Sequence, residues 1–232
     1  MHGYIQRKKE KKLRSALSRS PAVAILGPRQ SGKSTTAKRF LKDTPSVYLD
    51  LQDRVDRNKL SEPELFFDRY RDKLICLDEI QLLPEFFSVL RSEIDKDRRP
   101  GRFLILGSAS RDLIKQSTES LAGRIAYIDL TPFIVKEIAN ITNWSDTWLR
   151  GGFPESILAG NDMDSFDWRL DFIRTFMERD IPNLGFNIPV PIIERLWMLL
   201  AHYNGQTINY HKLATAADIS IPTLKKYLAI LE

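Results

Sequence analysis

Residues 27 to 34 read Gly-Pro-Arg-Gln-Ser-Gly-Lys-Ser, a complete G-x-x-x-x-G-K-[ST] phosphate-binding pattern. The residue types suit a chain of phosphates. Gly27 and Gly32 permit backbone conformations in which peptide N–H groups converge on anionic oxygens, and the start of the next helix adds partial positive charge. Lys33 would reach the β- and γ-phosphates, and the Ser34 hydroxyl would ligate Mg²⁺. The binding segment comprises Gly27, Pro28, Arg29, Gln30, Ser31, Gly32, Lys33, Ser34 and Thr35. Arg29 is an uncommon neighbour for phosphate. It either contacts the γ-phosphate or pairs with a nearby carboxylate when no nucleotide is bound.

Hydrolysis needs more than a binding loop. Leu74-Ile75-Cys76-Leu77 is an apolar run that ends in Asp78-Glu79. Two carboxylates at the tip of a buried strand are costly unless used, although an Asp-Glu pair is also common on helix surfaces. Placed beside the phosphate-loop strand, Asp78 would enter the Mg²⁺ shell and Glu79 would polarise the attacking water. Glu79 argues against a small-molecule kinase, which must avoid activating water. The run Phe103-Leu104-Ile105-Leu106 ends in Gly107-Ser108-Ala109-Ser110. Ser108 either holds that water or the γ-phosphate, or serves with Ser110 as the cap of a helix over 111–118.

These residues need a scaffold that brings strand ends together. Five apolar runs supply it: Ala22–Leu26, Val47–Leu51, Leu74–Leu77, Phe103–Leu106 and Ala126–Leu130. Strands apolar at nearly every residue are covered on both faces, and strands alternating with helices imply a parallel sheet. The spacing predicts helices near 33–42, 63–71, 84–97 and 111–120. The strand ending in Asp78 is expected directly beside the phosphate-loop strand. After Leu130 the pattern turns helical, with stretches at about 164–180 and 189–203 and the hinge-like Gly151-Gly152-Phe153-Pro154 between. The expected fold class is therefore α/β: a phosphate-loop parallel sheet flanked by helices over residues 1–130, a helical subdomain over 131–186, and a last unit over 187–232.

That last unit reads as a helix-turn-helix. Asn209-Tyr210-His211-Lys212-Leu213-Ala214 begins one helix, Ala217-Asp218-Ile219-Ser220 turns, and Ile221-Pro222 opens the next. In DNA binders the second helix would expose Thr223, Lys225 and Lys226; the bland reading is a solvated face opposite Leu224, Tyr227, Leu228 and Leu231. The chain stops inside this helix, which suggests a truncated winged-helix unit and an effector domain beyond it.

Composition sets limits. The 232 residues are 43% hydrophobic and 28% charged, enough for a packed core. No apolar run approaches the ~20 residues of a membrane helix, so no membrane partner is expected. A lone Cys76 excludes an internal disulfide, and His2, His202 and His211 lack metal-site spacing. A reducing, cytoplasmic setting fits. The formal charge of +5 permits a nucleic-acid partner without requiring one. Much of it lies in Arg7-Lys8-Lys9-Glu10-Lys11-Lys12-Leu13-Arg14, read either as the solvated face of a first helix with Ile5, Leu13, Ala16 and Leu17 inward, or as a phosphate-contacting arm.

Taken together, Gly-Pro-Arg-Gln-Ser-Gly-Lys-Ser, Leu-Asp-Glu-Ile-Gln, Leu-Gly-Ser-Ala-Ser, Ser-Leu-Ala-Gly-Arg and Gly-Gly-Phe-Pro-Glu resemble the prokaryotic AAA+ ATPases of AAA domain family fourteen, whose members carry a C-terminal domain of unknown function. The resemblance implies ATP, with Mg²⁺, as the nucleotide; no guanine-reading Asn-Lys-x-Asp element is present. It puts Ser108 at the sensor-one position, where the wider superfamily often has Asn. It puts Arg124 where such proteins carry an arginine finger, which often serves a neighbouring subunit and so implies a homo-oligomer; the other reading is a surface ion pair. Gly152-Phe153-Pro154 is similar to the Gly-x-Pro element of signal-transducing ATPases, where the proline packs near adenine, or else is a helix-starting turn.

Overall fold

A computed structural model describes residues 3–108, 121–183, 186 and 188–231. Helix α1 (Glu10–Leu17) leads into strand β1 (Ala22–Gly27), α2 (Lys33–Leu41), β2 (Ser46–Asp50), α3 (Arg54–Asn58), α4 (Pro63–Arg69) and β3 (Leu74–Asp78). A 3-10 turn (Ile80–Leu82) follows, then α5 (Phe86–Lys96), β4 (Phe103–Ser108) and β5 (Ile125–Asp129). The helix expected at 111–120, with Ser110, lies outside the described residues.

The five strands form one parallel sheet in the order β2–β3–β4–β1–β5. Burial explains the order. Every residue of β1 and β3 is buried, and all of β4 except its last, whereas β2 and β5 are mostly half-buried. The three most apolar strands take the centre, where both faces are covered, and the two less apolar strands form the edges. This corrects one expectation: β3 is not the immediate neighbour of β1. The equally apolar β4 lies between them, separating β1 from β3 by two strand spacings, about 10 Å. Apolar runs identify central strands but do not rank them.

Alternation along each strand sorts the core into two layers. Ala22, Ala24, Leu26, Ile75, Leu77, Phe103 and Ile105 pack against Phe67 of α4 and Phe87, Leu90 and Ile94 of α5. Val23, Ile25, Cys76, Leu104, Leu106 and Ile128 face Leu13, Ala16 and Leu17 of α1 and Ala37, Phe40 and Leu41 of α2. Ile5 does not join α1's apolar side; it precedes that helix and packs with Ile138 and Ile157.

Beyond the sheet, α6 (Val135–Ile138), α7 (Trp144–Arg150), α8 (Pro154–Ile157) and α9 (Asp162–Thr175) follow, the last continuing as a π-helical turn (Phe176–Asp180). The chain divides into two compact units, Met1–Ser165 and Phe166–Glu232. The second has its own core of Met177, Ile181, Ile188, Ile193, Leu196, Leu213 and Leu224. It contains α10 (Val190–His202), α11 (Tyr210–Ala217) and α12 (Ile221–Leu231). Asp218, in the left-handed region at φ 56°, turns α11 into α12, and the Ser220 hydroxyl accepts from the Thr223 N–H at 3.3 Å to cap the second helix. No strand of a wing occurs among the described residues of this unit. No described helix is long and apolar enough to cross a membrane.

Candidate active site

The phosphate loop leaves the C-terminal end of β1 and is shaped by tight backbone. Gln30 and Gly32 have φ of 60° and 90°, which folds the loop back before α2 starts at Lys33. A Cβ on Gly27 would stand 2.1 Å from the Leu130 carbonyl oxygen, so only glycine fits where the loop departs between β1 and the end of β5. The first N–H groups of α2 have no intrahelical acceptor, as at any helix start. Pro28, Gln30 and Thr35 lie on the surface; Arg29 and Ser34 are half-buried.

Lys33 is 6% exposed, and its ammonium donates to the Gly27 and Pro28 carbonyls at 3.0 and 2.8 Å. Burial pushes its pKa below the ordinary lysine value; Glu79 and Asp78 oppose that push, and Arg29 reinforces it. Lysine, Arg29 and both carboxylates thus share one electrostatic neighbourhood, although β4 separates β1 from β3.

Asp78 is 2% exposed at the end of β3. The Tyr48 hydroxyl, from the neighbouring edge strand, donates to its Oδ2 at 2.5 Å, and the Glu79 N–H donates to its Oδ1 at 3.0 Å. Burial first, then this hydrogen bond, raises the Tyr48 pKa and keeps it a neutral donor. Glu79 leaves the strand with φ 58°, uncommon for a residue with a side chain. Its carboxylate accepts from the Gln81 side-chain nitrogen. Ser108 ends β4 in register with Gly27, at the same end of the strands as Asp78; the partners it would cap lie outside the described residues.

The loop fits a phosphate group on two observations. Ser31 Oγ is buried and makes no hydrogen bond among the described residues, and α2 starts directly behind the loop at Lys33, where the first N–H groups lack intrahelical acceptors. Mg²⁺ fits the donor set too: the Ser34 hydroxyl and the Asp78 carboxylate are hard oxygen ligands suited to a cation that keeps most of its waters.

Three residues escape the sequence reading. Tyr48 is a polar tip within an apolar run. Gln81 sits inside the Leu-Asp-Glu-Ile-Gln string, two positions beyond Glu79. Arg7, in the basic N-terminal run, is 3% exposed rather than solvated. Its guanidinium donates to the Ser31 carbonyl at 2.9 Å, the Thr131 carbonyl at 2.5 Å and Glu137 Oε2 at 3.2 Å, and lies 4.7 Å from the centre of the Phe133 ring. The Pro154 ring also borders the loop: a Cβ on Gly32 would be 3.8 Å from it.

Arg124 lies elsewhere. It precedes β5, and its carbonyl pairs with the N–H of Ala22, the first residue of β1. The parallel register puts it at the N-terminal end of the strands, about 17 Å from the loop at ~3.3 Å per residue, beyond the reach of an arginine in the same chain. It grips Asp95 of α5 through Nε and Nη2 at 2.9 and 2.8 Å.

Comparison with known proteins decides the family. A sequence profile described as "AAA domain", family fourteen, matches residues 19–139, more than half of the chain. The chain belongs to this AAA domain family. A domain of unknown function, DUF8612, matches residues 141–232. Two mycobacterial proteins, "Uncharacterized protein Rv2008c" of Mycobacterium tuberculosis H37Rv and "Uncharacterized protein Mb2031c" of Mycobacterium bovis, are each 41% identical over 220 residues, covering 95% of this chain and 49% of theirs. The chain thus spans about half the length of the curated relatives it matches. Among solved structures, the Walker-type ATPase PABY2304 of Pyrococcus abyssi is similar with a TM-score of 0.62 at 17% identity, covering 98% of this chain and 89% of that one. At that identity the likeness speaks for the fold: the chain has the architecture of an AAA-type phosphate-loop ATPase.

Proposed function

We propose that the chain binds ATP with Mg²⁺, hydrolyses it, and uses the nucleotide state to move its C-terminal helical part. The observation that carries this reading is that the phosphate loop with Lys33 and the ends of β3 and β4, which bear Asp78 and Ser108, meet at the C-terminal end of the parallel strands. On ATP binding the Lys33 ammonium exchanges the Gly27 and Pro28 carbonyls for β- and γ-phosphate oxygens, a stronger charge-assisted contact. Ser34 and Asp78 would hold Mg²⁺, which when bound neutralises charge on the phosphates. Glu79 takes a proton from the attacking water. Ser108 stands at the same end, where its hydroxyl would face the γ-phosphate or the water.

Within the first unit, Arg7 joins the loop at Ser31 to Glu137 in the first helix beyond the sheet, so a change in the loop is felt by that helix. Arg124 is assigned as a finger for the nucleotide of a second copy, since its own loop is out of reach. ATP binding and phosphate release by Lys33→Ala and Glu79→Gln test the core of the proposal: the first loses binding, the second binds without turnover. Full turnover by both removes it.

A nucleotide-gated DNA regulator has less in its favour. The helix pair α11–α12 supports it, but the Thr223 hydroxyl is engaged with Ser220 at 2.8 Å and the Lys225 ammonium sits 5.2 Å from the Tyr210 ring centre.

A further inference from the structure

Among the described residues, Gln81 carries an unspent acceptor beside Glu79. The left-handed Glu79 reverses the chain as it leaves β3, and Ile80, fully buried, anchors the 3-10 turn against β4. This reversal brings the Gln81 carboxamide back onto Glu79, whose Oε2 accepts from Gln81 Nε2. Backbone held in so sparsely populated a region persists when the surroundings over-determine it, and such residues cluster at working sites. The other end of the carboxamide is different. Gln81 Oε1 is out of solvent and accepts no hydrogen bond among the described residues. A glutamine serving only the fold would have both ends satisfied.

We propose that Gln81 completes the water site: its nitrogen fixes the Glu79 carboxylate, and its carbonyl oxygen accepts a hydrogen bond from the water that Glu79 deprotonates. This rests on the reading of Glu79 as the base. A water has two hydrogens, and this arrangement gives each an acceptor, one on Glu79 and one on Gln81. The water oxygen forms a bond to the γ-phosphorus as the bond from that phosphorus to the β–γ bridging oxygen breaks. ADP leaves with the electron pair, and one water proton resides on Glu79 until it returns to product. Gln81 neither gains nor loses a proton. A neutral carboxamide can donate to a carboxylate and accept from water at once; glutamate in its place would repel Glu79, and an apolar residue would do neither.

The test compares Gln81→Ala, Gln81→Glu, Glu79→Gln and the Glu79→Gln/Gln81→Ala double variant in the 232-residue chain, measuring ATP affinity by calorimetry and single-turnover hydrolysis. Expected is ATP affinity within about 3-fold of the parent throughout, a pure loss of rate rather than of binding. Both Gln81 variants slow hydrolysis about 10- to 100-fold, a share of the 10²–10⁴ that a general base contributes. The double variant is no slower than Glu79→Gln alone, because the two groups act as a unit. Gln81→Glu keeps the volume, so a merely space-filling side chain predicts parental rates for it. Parental turnover in either Gln81 variant alongside an inactive Glu79→Gln overturns the proposal, as does a faster Gln81→Ala, which would make Gln81 a brake. An active Glu79→Gln, or no turnover by the parent, removes instead the reading of Glu79 beneath it.

Discussion

Arg7 donates from Nη1 to the main-chain carbonyl of Ser31 at 2.9 Å, joining the N-terminal segment to the phosphate loop through a buried side chain. The same guanidinium pairs with Glu137, and both side chains are 2% exposed. Removing one partner of a buried pair leaves an uncompensated charge, at a cost of about 3–5 kcal/mol. Arg7→Ala and Glu137→Ala should therefore each destabilise the first unit by that order in urea unfolding. The double variant should cost clearly less than the sum. Arg7→Lys should rescue little, since a point-charge ammonium cannot serve two carbonyls and a carboxylate in the fork geometry of a guanidinium. Additive losses would mean that the pair is not coupled.

Gly27 tests the packing of loop against sheet. Its absent Cβ leaves room for the Leu130 carbonyl, which a methyl group would meet at 2.1 Å. The obstacle is backbone, already tied by the Leu130 N–H to Leu26 at 2.7 Å, so it cannot swing aside as a side chain would. Gly27→Ala should lose about 3 kcal/mol or more and most ATP affinity, whereas Gly3→Ala, with nothing nearby, should be neutral. Near-parental melting of Gly27→Ala would show that the loop departs from β1 differently.

The contrast between these two residues shows what a chain reveals of itself. Gly27 is legible because a phosphate loop demands glycine at a fixed spacing, and the central strands are legible because burial on both faces leaves apolar runs. Lys33, Asp78 and Glu79 follow from motif and strand tip. Arg7 is not legible: its neighbours Lys8 and Lys9 are exposed, and the groups that make burial of the arginine tolerable, Glu137 and the Thr131 carbonyl among them, lie more than a hundred positions later. The place of β4 between β1 and β3 is hidden for a related reason. Strand order depends on which faces the helices cover, a tertiary fact with no local signature. Tyr48 and Gln81 likewise take their meaning from carboxylates that the fold delivers to them.

Tyr48 orients Asp78 through one hydrogen bond from the adjacent edge strand, at 2.5 Å. Partners of a metal-ligating group typically matter 10–100-fold in metal affinity. Tyr48→Phe should raise the Mg²⁺ concentration needed for half-maximal ATP turnover by about 10-fold, leaving metal-free nucleotide binding unchanged. An unaltered Mg²⁺ requirement would detach Tyr48 from the site. The pH dependence of stability supplies a second check. Burial and the Asp78 bond put the Tyr48 pKa above the ordinary 10.0. Below that value tyrosine is protonated in both folded and unfolded chain, and the contribution is fully present. As pH rises past it, the unfolded chain releases the proton while the folded chain retains it, so stability falls. Tyr4, raised for like reasons, adds to the loss. Tyr48→Phe should flatten the alkaline decline measured by denaturant unfolding.

Arg124 and the phosphate loop lie at opposite ends of the adjacent strands β5 and β1, so any action of this arginine on nucleotide must pass between copies of the chain. In the single chain it is held by Asp95, whose carboxyl the Arg124 and then the Arg98 hydrogen bonds bring down to about 2. The pair stays ionised throughout the neutral range, and a neighbour's phosphates must compete with it. A finger supplied in trans is worth 10³–10⁵ in turnover in phosphoryl-transfer enzymes. Arg124→Ala should thus lower ATP turnover by at least ~10²-fold, a conservative share of that range, with ATP affinity kept. The decisive measurement is a mixture. Lys33→Ala chains bring an intact Arg124 but a defective loop, and Arg124→Ala chains the reverse. Combined, they should recover turnover that neither shows alone, with a steep dependence on total protein concentration. A mixture no more active than its two components would confine Arg124 to its ion pair with Asp95.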